Sequence, residues 1–165
     1  EPGTGKTTYI KHLICKHTDK QFIFIQNDFV RDLLNPSFVF FLLQNKNSIL
    51  LIEDAEKVVI SRESSSNDSV VSTILQLTDG LFSDYLNIKI ICTFNTNIER
   101  IDKALLRKGR MIAKYKFTAL SAEKTKALAN KLGFENVQGS MTLADIFGAD
   151  KKDFKDAEKK AIGFS

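Results

Sequence analysis

At 165 residues the chain can bury a real core and suits one domain with at most a small appendage. With 43% hydrophobic and 27% charged residues it is neither disordered nor fibrous in composition, and no apolar run approaches the length of a membrane span. The net charge of +4 comes from lysines interleaved with acids, which permits contact with an anionic surface without building a basic stripe, so nucleic acid is not an expected partner. Cys15 and Cys92 match no metal-ligand spacing and read as reduced thiols, in keeping with a cytoplasmic protein.

The chain opens on "EPGTGKTTYIKHL", a glycine turn running into an amphipathic stretch, and the apolar spacing predicts a helix from Lys6 to about Lys16. "QFIFIQND" reads as a strand. "NPSFVFFLLQNKN" reads as a buried helix with Pro36 near its N-terminus. "SILLIEDAE" is an unbroken apolar run ending in acids, which suits a parallel strand covered on both faces. After the polar "SRESSSNDS" a helix is predicted from about Ser69 to Leu77, then a strand in "NIKIICTFNT" and a fourth in "MIAKYKF". Strands alternating with helices indicate an α/β layered fold with a parallel sheet.

Beyond Phe117 the pattern turns helical. "SAEKTKALANKLG" is bracketed by Ser121 as N-cap and Gly133 as terminator, "MTLADIFG" carries Thr142 with Asp145 three residues on, and "DKKDFKDAEKKAIGF" gives a third, charged helix. The expected division is therefore an α/β part over 1–117 and a small all-helical part over 118–165.

Four stretches carry chemistry. In the opening loop, Gly3 and Gly5 let backbone N–H groups approach a polyphosphate at a helix N-terminus, Lys6 reaches its outer phosphates, and the Thr7 hydroxyl is placed to ligate Mg²⁺. Only the first glycine of G-x-x-x-x-G-K-T is missing before Glu1. Glu53 and Asp54 end an apolar strand, where a sheet of this kind binds ligands; one carboxylate suits the metal's water shell and the other the attacking water. Asn95, in "IICTFNT", emerges from the next strand and is placed to hold that water or sense the terminal phosphate. Arg107 and Arg110, in "ALLRKGR", read by themselves as two surface arginines in a loop, though in an ATPase they have the charge to stabilise a transferring phosphoryl group from a neighbouring subunit.

The order and spacing of these stretches resemble the AAA family of P-loop ATPases over nearly the whole chain. "EPGTGKTT" looks like its Walker A, "ILLIEDAE" its Walker B, "TFNTNIERID" its first sensor and "IDKALLRKGR" its arginine-finger segment. The nearest likeness is to the branch of the mitochondrial respiratory-chain assembly ATPase, which shares the Glu-Asp order and a stretch much like "TNIERIDKALLRKGR". The resemblance implies a P-loop three-layer fold with a helical lid. It implies ATP and Mg²⁺ as cofactors, with Pro2, Gly3, Thr4, Gly5, Lys6, Thr7 and Thr8 holding the nucleotide, and Thr7, Glu53 and Asp54 at the metal. Catalysis would fall to Glu53, Asp54 and Asn95, completed in trans by Arg107 and Arg110 in a homo-oligomeric ring that remodels a protein substrate. It also implies that this chain is the C-terminal part of a longer one.

Some features depart from the family. The acids stand as Glu-Asp rather than Asp-Glu, Lys108 replaces the usual proline, and no aromatic-glycine pore motif is found in "NDFVRDLLNP", where Phe29 is expected in the core, with a stand-in for the pore aromatic as the alternative. A nucleotide-dependent switch with little turnover, favoured by the swapped acids, and a DNA-acting loader are the competing functions.

Overall fold

In the computed structural model, residues 1–56, 67–134 and 137–149 are described. They divide into two compact units, one of Glu1–Pro2 with Lys6–Phe117 and one of Gly3–Gly5 with the described residues from Thr118 onward.

The first unit is built on a three-stranded parallel sheet in the order β1 (Phe22–Ile25), β2 (Ile49–Ile52), β3 (Lys89–Cys92). The "ILLI" of β2 is central, and Leu50, Leu51 and Ile52 lose all solvent contact, as a parallel strand covered on both faces requires. The ladder aligns Ile23, Leu50 and Ile90 on one rung and Ile25, Ile52 and Cys92 two residues on, so these six share a face. The main core lies on that face. It joins β1–β3 to Leu33, to Leu42 of α2 (Pro36–Gln44) and to Val70, Ile74 and Leu77 of α3 (Asn67–Thr78). Each such leucine or isoleucine contributes about 1.5–3 kcal/mol by leaving water.

Helix α1 (Lys6–Lys16) follows the glycine turn as its spacing predicts, and α2 begins with Pro36 in its first turn, where a missing N–H costs nothing. A short helix the sequence reading passed over, α4 (Gly80–Leu86), leads into β3. Residues 111–117, expected as a fourth strand, form none: a strand exists through its ladder, and no strand among the described residues pairs with them. Instead Tyr115 and Phe117 gather on Tyr9 of α1, with ring centroids 6.4 and 5.6 Å from it. Phe29 is likewise not in the core. It lies in the 3₁₀ turn Asn27–Asp32, where Val30 and Leu33, three apart, take the inward face and leave Phe29 59% exposed.

The second unit holds α5 (Ala122–Leu132) and α6 (Leu143–Gly148). The Ser121 hydroxyl accepts the Lys124 N–H, and Gly133 ends α5 at φ 79°, a left-handed turn that favours glycine. Thr142 and Asp145 form a reciprocal capping box on α6. Buried Thr125 ties the segments before the two helices together: its hydroxyl donates to Leu120 O (3.3 Å) and accepts the Met141 N–H (3.3 Å). The third expected helix, and most of "SRESSSNDS", lie outside the described residues. No helix among the described residues is long and apolar enough to cross a membrane.

Candidate functional site

All three strands run the same way, so the segments leaving Ile25, Ile52 and Cys92 emerge along one edge of the sheet. Past the strand ends the ladder runs on for a turn: Thr93 N–H donates to Ile52 O (3.0 Å) and Ala55 N–H to Thr93 O (2.9 Å). Between these bonds Asp54 adopts φ 49°, in the left-handed region that aspartate enters more readily than most residues. Its N–H donates to Thr93 Oγ1 (3.0 Å), and its Oδ1 accepts from Asn95 Nδ2 at 2.7 Å. The Asn95 N–H in turn donates to Glu56 Oε2 (3.2 Å).

Glu53 faces inward beside this turn, and its Oε1 is buried without a hydrogen-bond partner among the described residues. Asn27, from the exit of β1, donates through Nδ2 to the main-chain oxygens of Glu53 (3.1 Å) and Asp54 (3.2 Å), while its own Oδ1 is also buried with no partner among the described residues. An orphaned buried acceptor costs about 1–3 kcal/mol, and a cation with its water shell would relieve both. No group of three or more histidine, cysteine or acidic residues forms a metal cage among the described residues. A cation here would therefore keep most of its waters, which is the habit of Mg²⁺ held by one or two carboxylates.

The glycine loop is described within each unit. Lys6 opens α1, and its ammonium donates to Glu1 O (2.6 Å), a neutral partner that a phosphate would replace with a charged one. Thr7 and Thr8 are exposed on the first turn, Pro2 is exposed, and Thr4 is buried. In the second unit Gly3 (φ 70°) accepts the Ala144 N–H on its carbonyl (2.9 Å). A Cβ there would stand 2.8 Å from Ala144 Cβ, and one at Gly5 (φ 96°) 2.7 Å from Leu143 Cδ1.

The two arginines differ. Arg107 is exposed, and its side chain has no partner among the described residues. Arg110 is half-buried: one nitrogen donates to Ala104 O (2.9 Å) and another forms an ion pair with Asp79. Asp79 is the N-cap residue of α4 yet makes no capping bond, its carboxylate being turned to Arg110. Neither arginine is hydrogen-bonded to Asp54 or Asn95.

The fold thus brings Glu53, Asp54 and Asn95 to one edge, with Lys6, Thr7 and Thr8 at the head of α1. The sequence model of the ATPase family associated with various cellular activities (AAA) matches residues 1–119. The chain belongs to this family. Among curated proteins, this AAA domain is 31% identical over 157 residues to a 26S proteasome regulatory subunit 6B homolog of Encephalitozoon cuniculi, covering 87% of the chain and 38% of that protein. It is 33% identical over 135 residues to the subunit 8 homolog of Schizosaccharomyces pombe (74% and 33% covered), and 33% identical over 130 residues to an AAA-ATPase of Arabidopsis thaliana (67% and 23%). The chain spans well under half the length of these relatives. None of these three relatives supports the narrower likeness to the mitochondrial assembly branch, which rests on the Glu-Asp order and one short stretch alone.

The sequence reading missed Asn27, Thr93 and Glu56. The signal was available for two of them. Asn27 and Thr93 are among the first polar residues after apolar strands, at the same edge as Asp54.

Proposed function

We propose that this AAA domain binds Mg²⁺–ATP and hydrolyses it in sites shared between subunits of a homo-oligomeric ring, and that the energy is used to remodel a protein substrate. In this reading 1–117 is the nucleotide-binding body and 118–165 its lid. Pro2 to Thr8 wrap the phosphates, with Lys6 on the outer two, and Thr7 and Glu53 hold the ion, Asp54 also reaching it through water. The ion, when bound, neutralises charge on the phosphates. Asp54 accepts a proton from the attacking water, Asn95 fixes the carboxylate and the water, and Arg107 with Arg110 meets the neighbour's transferring phosphate.

The observation that carries the reading is the Asn95–Asp54 contact beside a buried Glu53 oxygen that has no partner among the described residues, an arrangement that suits a base and a cation side by side. Remodelling of a protein, and a cytoplasmic setting suited to two free thiols, rest on the family and its proteasomal relatives. The test is ATP turnover per subunit over a wide range of protein concentration, with Mg²⁺ and with a chelator. A Mg²⁺-dependent rate that climbs with concentration supports shared sites. Tight ATP binding with no turnover at any concentration overturns hydrolysis and leaves a nucleotide switch.

A further inference from the structure

Asp54 is held on one side by Thr93 and on the other by Asn95, which Glu56 holds in turn; the proposed chemistry itself uses neither Thr93 nor Glu56. Its main chain sits at φ 49°, a conformation that costs a non-glycine residue roughly 1–2 kcal/mol. The bond that stabilises this turn is lateral: Asp54 N–H donates to the Thr93 hydroxyl oxygen at 3.0 Å, beside the two main-chain bonds that already lock Thr93 to Ile52 and Ala55. On the other side, Glu56 Oε2 accepts the Asn95 N–H (3.2 Å), fixing the backbone of the residue whose side-chain amide then meets Asp54 Oδ1 at 2.7 Å. Glu56 and Asp54 therefore face Asn95 together, one on its main chain and one on its side chain.

We propose that Thr93 and Glu56 are positioning residues for the Asp54 carboxylate: Thr93 sets the turn that aims it, and Glu56 sets the asparagine that orients it. The inference rests on the reading of Asp54 as the base for the attacking water. A carboxylate on one methylene has only two side-chain torsions, so its oxygens go where the backbone sends them. That makes the main-chain clamp decisive here, and misplacing a base by a fraction of an ångström slows the chemical step without weakening nucleotide binding.

The experiment compares Thr93→Val with Thr93→Ser, and Glu56→Leu with Glu56→Gln, in the intact chain. Valine keeps the shape of threonine but offers no acceptor, whereas serine and glutamine retain one. Thr93→Val and Glu56→Leu are each expected to lower kcat roughly five- to tenfold, the size of one hydrogen bond, with KM for ATP unchanged. Thr93→Ser and Glu56→Gln are expected to regain most of that loss. In parallel, amide hydrogen exchange without nucleotide should speed up at Asp54 in Thr93→Val and at Asn95 in Glu56→Leu. Wild-type exchange rates at these amides in both variants, or an unchanged kcat in both, would overturn the clamp. If the wild-type chain hydrolyses no ATP, it is the reading of Asp54 that fails, and the exchange rates still decide whether Thr93 and Glu56 hold the turn.

Discussion

The Arg110 guanidinium is ion-paired to Asp79 of its own chain, while Arg107, three residues earlier, stands exposed and partnerless among the described residues. The pair is half-exposed, which limits its worth, but Arg110 also donates to Ala104 O. Arg110→Ala is therefore expected to lower stability by about 1 kcal/mol, and Arg107→Ala by almost nothing. Denaturant titration of both variants checks this; equal losses would mean that the ion pair contributes nothing.

The Oε1 of Glu53, buried and without a partner among the described residues, separates its expected role from that of Asp54. Glu53→Gln should raise the Mg²⁺ concentration needed for half-maximal turnover roughly ten- to a hundredfold. Asp54→Asn, which touches the ion only through water, should shift that concentration far less and cut kcat on the order of 10²- to 10⁴-fold. A Mg²⁺ titration of turnover, with a chelator as the zero, distinguishes the two.

Gly3 and Gly5 both have positive φ, but their surroundings differ. A methyl at Gly5 meets the tip of Leu143, which can rotate aside, so Gly5→Ala bears the strain of φ alone. A methyl at Gly3 meets Ala144 Cβ, which moves only with its helix. Gly3→Ala is expected to be the more damaging, by roughly 1–3 kcal/mol, read as a fall in melting temperature and in ATP affinity.

Cys92 packs against the main core, and burial pushes its thiol pKa from 9.0 to about 12. Below pH 9 the thiol is protonated in both folded and unfolded chains and stability does not depend on it. Between 9.0 and about 12 the unfolded chain gives up the proton and the folded chain keeps it, so this group lowers stability as pH rises. Denaturation at about pH 8 and about pH 10 should show a shallower alkaline loss in Cys92→Ala than in wild type. Exposed Cys15 should react with a thiol reagent in the folded protein while Cys92 does not.

Much of this was legible in the sequence where local signals and tertiary packing agree. "SILLIEDAE" reads as a doubly covered strand because its apolar run is unbroken, and Ser121, Gly133 and Thr142 announce their helix ends by side-chain chemistry alone. "MIAKYKF" has strand-like residues, but a strand depends on a partner edge, which no local pattern records. Phe29 looks like core by its type; the 3₁₀ turn decides that Val30 and Leu33 go in instead. Glu53, Asp54 and Asn95 could be named from motif spacing. Thr93 could be noticed as the first polar residue after β3, but its bond to Asp54 and the part of Glu56 could not, because they depend on the left-handed turn at Asp54 and on bonds between residues about forty positions apart in the chain.

The most direct test of the central claim is turnover in a mixture of two inactive variants, Asp54→Asn and Arg107→Ala. The first keeps the arginine and the second keeps the base, so a site between them is whole. Neither is expected to hydrolyse ATP alone, and the mixture should recover Mg²⁺-dependent turnover. A mixture as inactive as its components, or an Arg107→Ala chain as active as wild type, would contradict sites shared between subunits.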